Sequence, residues 1–155
     1  SSTPAIGMPS PRVPSKTGST IEELAKITSA PKPFPSFYHV SIADAVIGGN
    51  PVLVTFATPA WCTSRSCGPQ LGVLEKLHKT YQKEIQFIHV EIFDNPHDMA
   101  GNLAQGIESH IVESWGLTSE PWTFIVDRNG MIAAKFEGFT TEQELEEALK
   151  DILNK

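Results

Sequence analysis

Pro51-Val52-Leu53-Val54-Thr55-Phe56-Ala57, followed at once by Thr58-Pro59-Ala60-Trp61-Cys62-Thr63-Ser64-Arg65-Ser66-Cys67-Gly68-Pro69, is the stretch on which the fold turns. The first seven residues form a near-continuous apolar, β-branched run bounded by turn formers, the pattern of a strand buried on both faces of a sheet. Proline is tolerated in a helix only within its first turn, so Pro69 sets the start of the next helix near Ser66. Were both cysteines on that helix, five steps of about 100° would leave them about 140° apart around its axis and too distant to bridge. A helix that starts at Ser66 leaves Cys62 on the preceding loop, free to fold back toward Cys67.

Reading outward, Leu71, Leu74, Leu77, His78 and Tyr81 recur at helical spacing, and residues 85–93 (IQFIHVEIF) read as a second buried strand. Strand, helix, strand in that order calls for a right-handed parallel crossover. Residues 94–120 are broken at Asn95-Pro96, with a helix expected over 109–114. Trp122 to Val126 reads as a strand, Asp127-Arg128-Asn129-Gly130 as a hairpin turn, and Met131 to Phe136 as the antiparallel return. Thr141 and Glu144 make a capping box, and Leu145, Leu149 and Ile152 form the apolar stripe of a closing helix.

Toward the N-terminus, Thr20 and Glu23 form a second capping box, opening a short helix that ends before Pro31. Residues 37–40 are expected as a short edge strand, and Ser41 as the cap of a helix over 42–47 stopped by Gly48 and Gly49. Residues 1–19 are rich in Pro, Ser and Gly without apolar periodicity, which suggests a disordered linker that buries little. The expected organisation is thus a linker over 1–19 and one domain over 20–155, made of an N-terminal extension (20–49) and a core (50–155). The chain opens at Ser1 without Met, as expected of a processed product whose signal or anchoring segment lies upstream.

The totals bound the function. A length of 155 residues suits one domain with a substantial core. With 18 Asp and Glu against 12 Lys and Arg, the net charge of -6 argues against nucleic acid as a partner. No apolar run reaches the roughly 18 to 20 residues of a membrane span. The two cysteines, five positions apart, cannot frame a small disulfide-held domain.

The pair looks chemical. At a helix N-terminus, unpaired amides and the positive end of the dipole stabilise a thiolate, and Arg65 adds charge. The reaction available is thiolate attack on a partner disulfide, a transient mixed disulfide, and release by the second cysteine. Spacing alone fits an inert disulfide or two unrelated thiols equally well. The position tips the balance, since a loop between a central strand and a helix is where open parallel sheets place their sites.

With these residues in view, the chain resembles the thioredoxin superfamily over roughly residues 50–153. Phe56 through Cys62 is similar to that family's strand, loop and Trp-Cys segment, and Cys67 aligns through the helix to Tyr81. Trp115-Gly116-Leu117 and Glu120-Pro121-Trp122-Thr123-Phe124-Ile125-Val126-Asp127 resemble the extracytoplasmic TlpA and ResA-like branch, and Gly138 matches a family glycine. The resemblance implies an α/β thioredoxin-like fold with a central mixed sheet flanked by helices. It implies Cys62 as nucleophile and Cys67 as resolving cysteine, with a cis Pro121 opposite them. It also implies Trp61, Glu120 and Trp122 at the partner-binding surface, and neither cofactor nor metal. The implied partners are protein thiols and disulfides, with an upstream membrane reductant. The implied protein is a monomer outside the cytoplasm of a bacterium, periplasmic or at the cell surface, anchored through an upstream segment. One departure stands out: the family's usual motif places two residues between its cysteines, whereas here there are four, Thr63 to Ser66. Thr55 lies where many thioredoxins bury an acidic proton acceptor.

Other readings remain open on the sequence. His89 and Glu91 alternate onto one face of a buried strand, where one could be a proton acceptor near the cysteines, or they are a hydrogen-bonded core His and a strand-end Glu. A copper-handling protein resembling the Sco branch would use both cysteines with His97 or His110, and Met99 nearby, although that branch spaces its cysteines by three. A non-catalytic binding module on the same scaffold is a third reading. A thiol peroxidase is disfavoured by the lack of a Thr-x-x-Cys site.

Overall fold

The computed structural model describes residues 2–155. In chain order its elements are α1 (Ile21–Ile27), α2 (Ile42–Ile47), β1 (Val52–Ala57), α3 (Cys67–Tyr81), β2 (Gln86–Glu91), β3 (Phe93–Asp94), β4 (Ile107–Glu108), α4 (His110–Ser114), β5 (Trp122–Val126), β6 (Ile132–Glu137) and α5 (Glu142–Leu153), with 3-10 turns over 35–38, 96–99 and 103–105. The four long strands make one sheet in the order β2-β1-β5-β6. β1 pairs parallel with β2 and antiparallel with β5, and β5 pairs antiparallel with β6. The fold is thioredoxin-like: a mixed α/β sheet with helices on both faces.

The unbroken apolar run of β1 is explained by this position, because alternate side chains of a strand enter opposite faces and both are covered. Val52, Val54 and Phe56 join the core that includes Ile111, Val112 and Trp115 of the α4 region. Leu53 joins the other core, with Leu71, Leu74 and Leu77 of α3 and Leu145, Leu149 and Ile152 of α5. Both capping boxes form as the sequence predicts, at Thr20 with Glu23 and at Thr141 with Glu144.

Three stretches depart from expectation. Residues 2–19 do not hang as a tether but pack on the domain, and residues 7–10 pair along the open edge at the start of β6. The Gly7 amide donates to the Ile132 carbonyl at 2.8 Å, the Ile132 amide to the Met8 carbonyl at 2.8 Å, and the Ser10 amide to the Gly130 carbonyl at 2.9 Å. Prolines interrupt a strand but leave carbonyls and the intervening amides able to satisfy a sheet edge, which otherwise stays unpaired. The buried Ser15 hydroxyl accepts from the Ile42 amide at 2.9 Å, and Lys16 pairs with Asp94 at 2.8 Å.

Residues 35–38 form a 3-10 turn in place of the expected edge strand. Phe37 and Tyr38 are both buried, and consecutive residues of a strand would point to opposite faces. The second strand is also shorter than its apolar run. The chain breaks after Glu91, and Phe93–Asp94 leaves to pair with Ile107–Glu108 in a separate two-stranded ribbon. The helix expected over 109–114 is present as α4.

Candidate active site

Cys67 is the first residue of α3, preceded by Ser66, and Pro69 lies within the first turn as the sequence requires. The loop before it reverses direction: the Arg65 amide donates to the Cys62 carbonyl at 3.1 Å, and Arg65 adopts φ 60°. That left-handed conformation is costly for a side chain with a Cβ. The reversal brings the two Cα atoms to 6.0 Å, and the sulfurs are bonded as a disulfide.

The two sulfurs differ in access. Cys67 is fully buried, whereas Cys62 is partly exposed. α3 has no acidic residue in its first turn, so no neighbouring carboxylate on that turn opposes the favourable dipole.

Ser64 links the loop to the opposite wall. Its Oγ lies 3.3 Å from Cys62 Sγ, 2.7 Å from Ser66 Oγ and 3.4 Å from the carbonyl oxygen of Glu120. Glu120 precedes Pro121 through a cis peptide bond, as the family resemblance implies. Pro121 is buried and Glu120 partly so. The Pro121 carbonyl accepts from the Gly138 amide at 2.8 Å, and Gly138 has φ +76°, a conformation that favours glycine.

The two tryptophans occupy different settings. Trp61 is partly exposed and meets Phe93 edge to face, with ring centroids 5.9 Å apart. Trp122 is buried, stacks on Phe124 at 5.6 Å, and donates from Nε1 to Ser119 Oγ at 3.1 Å. Trp61 is therefore the one of the pair available beside the cysteine loop.

Beneath the loop, His89, Thr55 and Thr123 are register partners on β2, β1 and β5. The Thr55 and Thr123 hydroxyls are 2.9 Å apart, so a neutral hydroxyl pair occupies the place where the resemblance expects an acid. His89 is locked at both nitrogens. Nε2 lies 2.9 Å from the Ala57 carbonyl and Nδ1 lies 2.7 Å from the Tyr38 hydroxyl. A carbonyl can only accept, so Nε2 carries the hydrogen and Nδ1 accepts from Tyr38. Burial lowers the pKa of His89, partly offset by Glu91, and raises that of Tyr38. Glu91 accepts from the Ser29 amide at 2.7 Å, the Ile92 amide at 3.1 Å and the Phe93 amide at 3.3 Å. The geometry fits the second reading, a core His hydrogen-bonded at both nitrogens and a Glu at the strand end.

The copper donors do not converge. His97 pairs with its neighbour Asp98 at 3.2 Å, Met99 is buried, and His110 is exposed at the start of α4. Among the described residues no group of three or more His, Cys, Asp or Glu side chains is placed to hold a metal ion.

Sequence reasoning missed several contributors. Ser64 was read only as a spacer between the cysteines and Ser66 only as a spacer and the start of the helix, and Ser29, whose Oγ accepts from the Ala60 amide at 3.1 Å, carries no pattern at all. Gln70, buried one turn into α3, exchanges two hydrogen bonds with the Thr140 backbone, at 3.0 Å and 2.7 Å. Its signal was present as a polar residue on the apolar stripe of an amphipathic helix.

The comparisons with known proteins agree with this geometry. A family model described as a thioredoxin-like domain matches residues 38–153. No curated protein sequence matches the chain. Among solved structures, one described as thiol:disulfide interchange protein DsbE from Chlorobium tepidum superposes with a TM-score of 0.68 at 18% identity, covering 97% of this chain and 99% of that one. A second thiol:disulfide interchange protein of the thioredoxin family from the same organism gives 0.59 at 16% identity, covering 96% and 98%. MTB dsbF, solved in mixed oxidized and reduced forms, gives 0.59 at 16% identity, covering 92% and 96%. At these identities the likeness is one of fold.

Proposed function

This chain belongs to the thioredoxin-like domain family, and from that premise we propose that it is a thiol-disulfide oxidoreductase acting on other proteins through Cys62 and Cys67. The observation that carries the reading is the asymmetry of the pair. An exchange centre needs one sulfur that a partner can reach and one that it cannot, and here Cys62 is partly exposed while Cys67 is fully buried at the head of α3.

In the reduced form the Cys62 thiolate attacks one sulfur of a partner disulfide. The partner S–S bond breaks, a mixed disulfide forms at Cys62, and the partner's other sulfur leaves as a thiolate. Cys67, deprotonated, then attacks the Cys62 sulfur, reforms the intramolecular bond and releases the partner's second thiolate. Two electrons pass from the cysteine pair to the partner, and the reverse sequence oxidises a partner dithiol. Trp61 and Glu120 form the surface against which the partner chain lies, with Pro121 and the buried Trp122 backing it and the Glu120 carbonyl next to the loop supporting that role.

The partners are extracytoplasmic proteins, in line with the rarity of stable disulfides in the cytosol. The protein works as a monomer re-reduced by a membrane reductant. Catalysed reduction of insulin by dithiothreitol tests the reading. Acceleration by the wild type that Cys62→Ser abolishes is the expected result, and a wild type without effect on insulin or on small disulfides contradicts it.

A further inference from the structure

The Ser64 hydroxyl sits where three groups meet, with Cys62 Sγ at 3.3 Å, Ser66 Oγ at 2.7 Å and the Glu120 carbonyl oxygen at 3.4 Å. A hydroxyl has one hydrogen to give and two lone pairs to accept with. The Glu120 carbonyl can only accept. In the disulfide the Cys62 sulfur has no hydrogen, so it too can only accept. Ser66 is the residue before the first turn of α3, and its side chain does not cap the helix; its hydroxyl is turned to Ser64. Ser66 can therefore donate to Ser64, leaving the Ser64 hydrogen to choose between the carbonyl and the sulfur.

Reduction changes that choice. A disulfide sulfur is a weak, neutral acceptor, whereas a thiolate carries a full charge and makes charge-assisted hydrogen bonds roughly twice as strong as neutral ones. The bond to the Glu120 carbonyl, at 3.4 Å, lies beyond the usual range for O–H donors and is readily given up. We propose that Ser64 is a positioning residue for the exchange reaction, its hydroxyl, oriented by Ser66, donating to the Cys62 thiolate in the reduced protein and returning to the Glu120 carbonyl when the sulfur is neutral. The inference rests on the exchange reading of Cys62, and it gives the four-residue spacer a chemical use, since a two-residue spacer has no room for this Ser64-Ser66 chain.

The hydroxyl thus holds the attacking sulfur in its charged form and ties the cysteine loop to the wall that carries Pro121. It does the first only while Cys62 bears charge, and the second only when that sulfur is neutral. A merely structural Ser64 would brace the loop equally in both redox states and would leave the ionisation of Cys62 unchanged.

The test is the pH dependence of Cys62 alkylation by iodoacetamide in the reduced protein, with the label located by peptide mass mapping, for the wild type, Ser64→Ala, Ser64→Thr and Ser66→Ala. A charge-assisted hydrogen bond at a partly exposed site sets the expected displacement of the Ser64→Ala midpoint at about one pH unit upward. Ser64→Thr keeps the hydroxyl and restores the wild-type midpoint, while Ser66→Ala moves it by a smaller amount in the same direction. An unchanged midpoint in Ser64→Ala overturns the proposal, and so does an equal displacement in Ser64→Thr, which would assign the effect to loop geometry. Alkylation needs no partner protein, so a wild type that fails to reduce insulin counts against the exchange reading alone, whereas an unmoved midpoint in an active enzyme counts against Ser64 alone.

Discussion

The Ser29 amide donates to the Glu91 carboxylate at 2.7 Å, joining the segment after α1 to the end of β2. Ser29 also accepts from the Ala60 amide at 3.1 Å, so one serine fastens the cysteine loop to a buried carboxylate. Glu91 satisfies two further amides, those of Ile92 and Phe93. Removing the carboxylate strands donors that are paired nowhere else in this network, and each buried unsatisfied group costs about 1 to 3 kcal/mol. Glu91→Ala should therefore lower unfolding stability by about 3 kcal/mol in urea titrations, whereas Ser29→Ala, which keeps its backbone amide on Glu91, should cost about 1 kcal/mol.

Gln70 sets the geometry of the opposite side of the site. Its two hydrogen bonds to Thr140 tie α3 to the segment between β6 and α5, next to the Gly138 amide that meets Pro121. Gln70→Leu, similar in size but without polar atoms, leaves the Thr140 amide and carbonyl unpaired, and should destabilise by about 2 to 3 kcal/mol. Gln70→Glu, which when protonated can both accept from the amide and donate to the carbonyl, should lose less at acid pH than at neutral pH, where an ionised carboxylate would be buried against that carbonyl. Equal losses in both variants at acid pH would show that packing, and not these bonds, is what the position supplies.

His89 confers a pH dependence whose sign follows from its burial. Desolvation lowers its folded pKa, with Glu91 acting in the opposite direction. In the unfolded chain a histidine takes up a proton near pH 6.5. Below that pH the unfolded state binds more protons than the native one, so stability is present above about pH 6.5 and declines as the pH falls beneath it. Comparing melting temperatures across pH 5 to 8, the wild type should fall more steeply than His89→Gln on the acid side of about pH 6.5. Parallel curves would show that His89 remains as easily protonated in the fold as outside it.

The disulfide should also act on stability. The two cysteines are separated by five positions, and closing so short a loop removes chain entropy worth about 2 kcal/mol from the unfolded state. The oxidised protein should resist urea more than the reduced one by about that amount, and Cys67→Ser should match the reduced form whether or not reductant is added.

The scaffold was legible because its signals are local. The β1 run, the spacing of Leu71, Leu74 and Leu77, and the two capping boxes each specify an element from adjacent residues, and Pro69 located the head of α3 and with it the reach between Cys62 and Cys67. What was hidden depends on partners remote in sequence. Residues 7–10 look unstructured because their binding surface, the β6 edge near Ile132, lies more than a hundred residues away. Phe37 and Tyr38 were misread as strand because two consecutive buried aromatics fit a turn only when a sheet lies beneath both. Ser64 is silent for the same reason, since its use depends on the distant Glu120 carbonyl.

The division of labour between an accessible and an enclosed sulfur is tested most directly by trapping. Reduced Cys67→Ser protein, mixed with a disulfide-bearing protein and quenched with acid, should yield a covalent heterodimer whose mapped linkage is at Cys62 and which reductant dissolves. Cys62→Ser under the same conditions should yield none, because its remaining thiol is buried. Linkage through Cys67 in that variant, or no adduct at Cys62 with any disulfide offered, would contradict the account.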